Sequence, residues 1–241
     1  MKLLLLAAGK SNRIYKKINK NKCLIEYNKK SLLEKIITDS NLKKKDDINI
    51  VVGFNKYLIK KKLKRFKVNY IENNLFNNTD MLYSLYLGLK KLNDDIIISY
   101  SDIIFSKNIF LKINRIKRNK DIIIPINTKW KKIWKRRKKN ILDDCETLNY
   151  DKKFILTEIG NKIKDPRNVK GQYMGIIFIS KKKLPFIIRL LKSYLKKNKK
   201  SHLTYFLNSI KKKLKIYCMK TSTFWYEIDD FQDYKSLRNL K

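Results

Sequence analysis

Cysteine, proline, glycine and histidine are scarce in these 241 residues, and acidic side chains are heavily outnumbered. The three cysteines, Cys23, Cys145 and Cys218, lie far apart and show no CxxC spacing. That excludes a disulfide framework and a cysteine zinc site, and makes a reducing cytoplasm the expected location. With three prolines and six glycines, no Pro/Gly/Ser-rich linker and no internal repeat break the chain. The length suits one large α/β domain or two small ones, and a single domain over 1–241 with an inserted subregion is the economical parse. No apolar run approaches the roughly 20 residues of a membrane span, so no membrane partner is expected. Met1-Lys2 followed by LLLLAA opens like a secretory leader, but the run stops after about six residues, short of the roughly 7 to 15 such a segment needs. The single histidine, His202, reads as a helix-start residue rather than a catalytic one.

What is present in excess is lysine. Lys and Arg number 59 against 21 Asp and Glu, a net charge of +38, which invites a nucleic-acid reading. The lysines are spread over almost every segment among many asparagines and isoleucines, the mark that an AT-rich coding sequence leaves on any protein. Basic domains that read DNA or RNA usually carry a recognisable motif as well, and none is visible. No dedicated nucleic-acid partner is therefore expected, although the charge draws polyanions, nucleotides included, over a range that salt limits to about 10 Å.

Leu3 to Leu6 is an uninterrupted apolar run, the pattern of a strand buried on both faces of a parallel sheet. Further strands are predicted at Asn49–Phe54, Val68–Ile71, Asp95–Ser99 and Asp121–Pro125. Helices fall between them, over Ser31–Asp39 with Ser31 as N-cap, over 56–65 and over Met81–Leu92. This alternation predicts a doubly wound sheet whose ligands collect at the carboxyl ends of the strands. Beyond Ile126, Lys129–Lys139 predicts a helix, Phe154–Glu158 and Tyr173–Ile179 strands, 182–197 and 203–212 helices, and Phe224–Ile228 a last short strand.

The first strand runs into Ala7-Ala8-Gly9, which removes side-chain bulk where the backbone turns, followed by Ser11 and Arg13. Backbone N–H groups of such a turn can approach a phosphate, Ser11 can add a donor, and Arg13 supplies a planar charged fork. The turn is neither GxGxxG nor a P-loop; on its own it is equally a tight strand-to-helix connection. Asp102 and Asp229 stand at strand ends where carboxylates can hold Mg²⁺, whose other positions go to phosphate oxygens and water; each also reads as a turn aspartate or helix cap. Lys22, nine residues after Arg13, could neutralise charge building on a phosphorus centre.

LLLLAAGKSNRI followed by NKCLIEYNKKSLLE resembles the opening signature of nucleotidyltransferases that activate small phosphorylated metabolites, LAAGxGxR followed by PKCLxxxxGxPLLE. The blocks TDMLYSL, ISYSDIIF, WKKIWKRR, LDDCETL, LTEIGNKI and KGQYMGIIFIS then resemble, in this order, those of bacterial phosphocholine and 2-aminoethylphosphonate cytidylyltransferases, from Leu3 to about Tyr234. The opening motif identifies the superfamily; the W-x-x-x-W-x-x-R, D-x-E-T-L and G-Q-Y-x-G series is the specific part.

The resemblance implies a Rossmann-like doubly wound, mostly parallel mixed sheet of the nucleotide-diphospho-sugar transferase type, with 1–126 the nucleotide-binding half and 127–241 the acceptor-binding half. It implies transfer of CMP from CTP to a small amino-phosphonate or phosphocholine, that is 2-aminoethylphosphonate or phosphocholine, with release of pyrophosphate, and Mg²⁺ as cofactor. Arg13 and Lys22 map onto the catalytic cations; Ala8, Gly9, Ser11 and Thr79 join them in binding nucleotide. Asp102 and Asp229 map onto the metal ligands. Trp130, Arg137, Asp144, Glu146 and Gln172 fall in the acceptor blocks, where Arg137 and nearby lysines suit a phosphonate and carboxylates or aromatic faces, including Trp134 and Trp225, suit an ammonium group. The tryptophans read equally as core packing at helical spacing. A homodimer is compatible with the sequence. The chain departs from the pattern at Ser11, where a second glycine is common, at Asn21, where proline is usual, at Asp80, where Asn is common, and at Ser101, where glycine precedes the metal aspartate. Ser11 and Ser101 are small enough for their turns provided φ stays negative; an acid at Asp80 would repel a base or triphosphate. A sugar-1-phosphate nucleotidyltransferase is the alternative enzyme, and a basic nucleic-acid-binding protein the alternative of another class.

Overall fold

The computed structural model describes residues 1–42, 44, 47–137, 145–198 and 200–237, with the side chains of 136 and 137 excepted. The chain divides into two compact units, Met1–Asp102 with Ile179–His202, and Ile103–Phe178 with Leu203–Lys241.

The first unit begins with β1 (Lys2–Ala7), α1 (Asn12–Ile18), the short pair β2 (Glu26–Tyr27) and β3 (Lys30–Ser31), and α2 (Leu32–Ser40). It continues through β4 (Ile48–Val52), α3 (Lys56–Lys62), β5 (Asn69–Glu72), α4 (Met81–Leu89) and β6 (Ile96–Tyr100). Strands β6, β1, β4 and β5 lie side by side in that order, and β1 runs parallel to both β4 and β6, with Leu6 opposite Val51 on one side and Tyr100 on the other. Leu3, Leu4 and Leu5 are almost wholly inaccessible, as a strand covered on both faces requires. Ser31 caps α2 in a capping box: its hydroxyl accepts the Glu34 N–H and Glu34 accepts the Ser31 N–H.

The second unit contains β7 (Ile103–Phe105), α5 (Asn108–Ile116), β8 (Ile122–Asn127), α6 (Trp130–Arg137), β9 (Glu146–Tyr150), β10 (Leu156–Lys162), β11 (Gln172–Tyr173) and all but the last residue of β12 (Ile176–Ile179). The first unit then resumes, with α7 (Leu184–Lys197), before α8 (Leu203–Ile210), β13 (Ile216–Thr221), β14 (Trp225–Glu227) and α9 (Phe231–Leu237) complete the second. Strand β8 pairs in parallel with β13 and antiparallel with β11, so parallel pairing predominates but the sheet is mixed. The single strand predicted over Tyr173–Ile179 is two strands, because Gly175 takes φ 76° and breaks the extended backbone between them. His202 immediately precedes α8, as expected of a helix-start residue. Among the described residues no helix is long and apolar enough to cross a membrane.

Two packing features carry expected outcomes. A Cβ placed on Gly53 would sit 2.8 Å from the Ala8 carbonyl oxygen and 2.8 Å from the Phe76 Cβ, and the Phe54 N–H donates to that same carbonyl. Gly53→Ala is therefore expected to destabilise the protein by about 1–3 kcal/mol through overpacking, read from urea unfolding, with the loss felt at the turn after β1. Carboxylates supply the second. Glu72 is held down to about 2 by hydrogen bonds from Lys56 and Lys60, and Glu26 is lowered chiefly by Lys62. Burial raises the Glu34 carboxyl, but bonds from Ser31 and the charges of Lys62 and Arg65 outweigh it and leave it lowered. Folded values below unfolded ones mean stabilisation that is complete above about pH 4.5 and lost as pH falls toward about 2. Thermal melts between pH 6 and 2 should show this loss, and Glu34→Gln should flatten it.

Candidate active site

The first unit gathers its chemistry at the carboxyl end of β1. Ala8 is buried and Gly9 exposed; a Cβ on Gly9 would meet nothing within 4 Å, so the turn leaves open space where a ligand backbone approach needs it. Ser11 sits at φ 58°, ψ 27° as the residue before α1. The condition of a negative φ is therefore not met at Ser11: the left-handed conformation costs an L-residue about 1 kcal/mol relative to glycine, which is the physical reason glycine is common here. Ser11 recovers part of that cost through its hydroxyl, which accepts the Lys22 N–H at 3.1 Å and can still donate its own proton outward. Arg13 is exposed in the first turn of α1.

Lys22 opens a short 3₁₀ turn over Lys22–Leu24 and is itself buried. Its Nζ lies 3.4 Å from Asp102 Oδ2, with side-chain exposures of 11 % and 24 %. The register of β1 with β6 is what joins them: Leu6 stands opposite Tyr100, Ser101 donates its hydroxyl to the Leu6 carbonyl at 2.7 Å, and Asp102 follows. Ser101 thus replaces a bare turn residue with a tie between the two strands, and it is not among the positive-φ residues. Next to Lys22, the Cys23 thiol is pushed well above its ordinary range by complete burial and then by the Asp102 charge, so it stays protonated and unreactive at neutral pH.

Asn21, where proline was expected, has φ −63°, the value proline would fix. Its side chain substitutes hydrogen bonds for that ring: it donates to the Phe54 carbonyl at 3.1 Å and accepts from Asn55 Nδ2 at 3.0 Å, while Asn55 also donates to the Tyr15 hydroxyl. The segment leading into Lys22 is thereby tied to α1 and to the loop after β4. Thr79 is half-buried and donates to the Leu75 carbonyl, held by buried Asn73, which donates to the hydroxyls of Thr79 and Ser84. Asp80 precedes α4, exposed, with no capping bond from its side chain.

In the second unit, Asp229 follows β14, which pairs with β7. Its backbone N–H donates to the buried carboxylate of Asp233 at 2.9 Å, and so does that of Asp230 at 3.3 Å. Gln172 is buried in β11, and its amide donates to Cys145 Sγ at 3.0 Å and to the Glu146 carbonyl at 2.7 Å. Glu146 is half-buried on β9 and accepts from Thr204 of α8 at 3.3 Å. Trp130 and Trp134 meet edge-on at 6.1 Å, Trp134 stacks on Trp225 at 5.5 Å, and Trp225 donates to the Met174 carbonyl. All three rings are at most 2 % exposed, so the tryptophans form core in this unit. Asp144 lies outside the described residues, as does the side chain of Arg137. Sequence reasoning missed Asn73, the Asn21–Asn55 link and Asp233; of these only Asp233 left a signal, an acid three residues after Asp230 at a helix start.

A parallel α/β sheet that brings a small-residue turn, a buried lysine and a carboxylate together beside the carboxyl ends of β1 and β6 places charged groups where sheets of this class bind their ligands. The chain belongs to the MobA-like NTP transferase domain family, which matches residues 3–155, and is a nucleotidyltransferase. It is 26 % identical over 249 residues to CTP:phosphoglutamine cytidylyltransferase of Campylobacter jejuni subsp. jejuni serotype O:2, covering 97 % of each chain. Among solved structures it resembles CTP:phosphocholine cytidylyltransferase from Streptococcus pneumoniae, with a TM-score of 0.74, 21 % identity and coverage of 99 % and 98 %. It also resembles the inositol-1-phosphate CTP transferase from T. maritima, with a TM-score of 0.75, 16 % identity and coverage of 98 % and 94 %. These two likenesses establish the α/β nucleotidyltransferase fold.

Proposed function

We propose that this chain is a Mg²⁺-dependent cytidylyltransferase that moves CMP from CTP to a small acceptor bearing a phosphate or phosphonate and a nitrogen-containing end, releasing pyrophosphate. The observation that carries the reading is the pairing of Lys22 with Asp102 beside the Ala8–Arg13 turn; the preference for CTP is supported by the relative from Campylobacter, whose name specifies it. The acceptor class takes in phosphocholine, 2-aminoethylphosphonate and phosphoglutamine.

The backbone of the turn, with the Ser11 hydroxyl and Arg13, holds the triphosphate. An acceptor oxygen that is already anionic forms the new bond to the α-phosphorus as the bond to the β-phosphate oxygen breaks, and pyrophosphate leaves with that electron pair; no covalent nucleophile and no general base are needed. Lys22 supplies a cation fixed in place before the charge develops, where preorganised donors are worth most. Asp102 offers a partly exposed carboxylate oxygen, the donor Mg²⁺ takes together with phosphate oxygens and water, so the donor chemistry fits the ion; Asp229 is the second proposed ligand. When bound, Mg²⁺ neutralises and orients phosphate oxygens.

Pyrophosphate release measured across the four NTPs tests this, with phosphocholine, 2-aminoethylphosphonate, phosphoglutamine or glucose-1-phosphate, with and without Mg²⁺. Turnover with CTP and one of the first three, abolished by EDTA, is the expected result. Turnover with glucose-1-phosphate alone would transfer the protein to the sugar-activating enzymes. No release with any pair, together with tight salt-sensitive binding of single-stranded or duplex nucleic acid, would support the basic nucleic-acid-binding reading instead.

A further inference from the structure

We propose that Asp233 is a positioning residue that fixes the backbone of Asp229 for metal binding; this rests on the reading of Asp229 as a Mg²⁺ ligand. In an ordinary capping box the residue at the third helical position reaches back to the N–H of the cap residue alone. Here the cap is Asp230, whose Oδ1 accepts the Asp233 N–H at 2.9 Å, but the reciprocal carboxylate reaches one residue further. Asp233 Oδ2 accepts the Asp230 N–H at 3.3 Å and the Asp229 N–H at 2.9 Å, so the shorter bond lies beyond the cap. The peptide groups on both sides of Asp229 are thus held by one carboxylate oxygen.

That oxygen is itself well anchored. Asp233 is fully buried, its carbonyl accepts the Tyr226 hydroxyl at 3.0 Å, and Tyr226 belongs to β14, three residues before Asp229. Ile228, between them, is fully buried. Strand and helix therefore grip the Asp229 backbone from both ends and leave its half-buried side chain as the part directed by that grip. Bonds from an N–H to a carboxylate are short and strong, and outer partners that orient a ligand commonly matter about 10- to 100-fold in metal affinity. A mere helix cap would leave metal affinity untouched.

The test compares Asp233→Ala, Asp229→Ala and Asp230→Ala in the whole chain. Three readouts are taken: Mn²⁺ binding in the presence of CTP by electron paramagnetic resonance, the Mg²⁺ concentration that half-saturates turnover, and the melting temperature. Asp233→Ala, which removes the oxygen that both N–H groups share, is expected to weaken Mn²⁺ binding and raise the Mg²⁺ requirement about 10-fold, with kcat at saturating Mg²⁺ largely restored. Asp230→Ala, which removes the cap but not the bond to the Asp229 N–H, is expected to lower the melting temperature and leave both metal readouts unchanged. If Asp229→Ala weakens Mn²⁺ binding while Asp233→Ala only lowers the melting temperature, the positioning role is overturned and the metal reading stands. If Asp229→Ala leaves Mn²⁺ binding intact, the metal reading of Asp229 falls and the positioning role with it. Should Asp233→Ala not fold, Tyr226→Phe, which frees the Asp233 carbonyl from its anchor, is read instead; an unchanged Mg²⁺ requirement in that variant overturns the proposal.

Discussion

Asp102→Ala is expected to lower the rate of pyrophosphate release by about three orders of magnitude while the chain remains folded. The carboxylate stands partly exposed at the end of β6, so its removal costs little packing, and the ties that shape the turn, from Ser101 to Leu6 and from Lys22 to Ser11, do not pass through it. What is lost is the oxygen donor proposed for the metal and the counter-charge of Lys22. Steady-state assays at increasing Mg²⁺, with circular dichroism as the fold control, check this. Activity within a few-fold of the parent would refute the assignment of Asp102.

Lys22→Met is expected to cut kcat by about 10²- to 10³-fold, the loss typical when one preorganised charge at a reacting centre is removed. Methionine keeps the volume and the buried stem of a side chain that is only 11 % exposed, which separates charge from packing. The effect should fall mainly on kcat rather than on the KM for CTP, because the cation is most useful when charge develops on the phosphates. Lys22→Arg is not expected to rescue, since a planar fork does not fit the place of a compact ammonium. Because the two residues touch, the Asp102→Ala, Lys22→Met double variant should lose far less than the product of the single losses. Multiplicative losses would show that the pair does not act as a unit.

The strands at the centre of the first unit were legible because each is a near-continuous apolar run: Leu3 to Leu6 in β1, and the isoleucines and valines of β4 and β6, all buried. Helix α5, NIFLKINRI, escaped notice because its asparagines, lysine and arginine dilute the apolar spacing, and strand β13, IYCMKT, because its apolar run is short and broken by Lys220. Helix ends were overrun for a related reason. The spacing over Met81–Leu92 continues past the last helical residue, Leu89, and lysine, a good helix former, marks no boundary. At the site, the apolar run followed by small residues marked the turn. The contact of Lys22 with Asp102 was not legible, because 80 residues separate them and only the register of β1 with β6 joins them. Asn21, Asn55 and Asn73 were invisible for want of contrast: in a chain this rich in asparagine, nothing in the sequence sets a buried, bonded one apart from a solvated one.

The ion pair of Lys22 with Asp102 bears on how such a protein chooses among anions. A net charge of +38 attracts RNA, polyphosphate and nucleotides alike at long range. A site built of cations alone would accept whichever arrived first. With a carboxylate already seated on its buried lysine, this one opposes a bare polyanion at short range and, on the proposed reading of Asp102 as a metal ligand, favours an anion that arrives with a divalent ion. On that reading, metal-free CTP and polyphosphate should compete poorly with the magnesium–nucleotide complex, and a single acidic residue would set the preference.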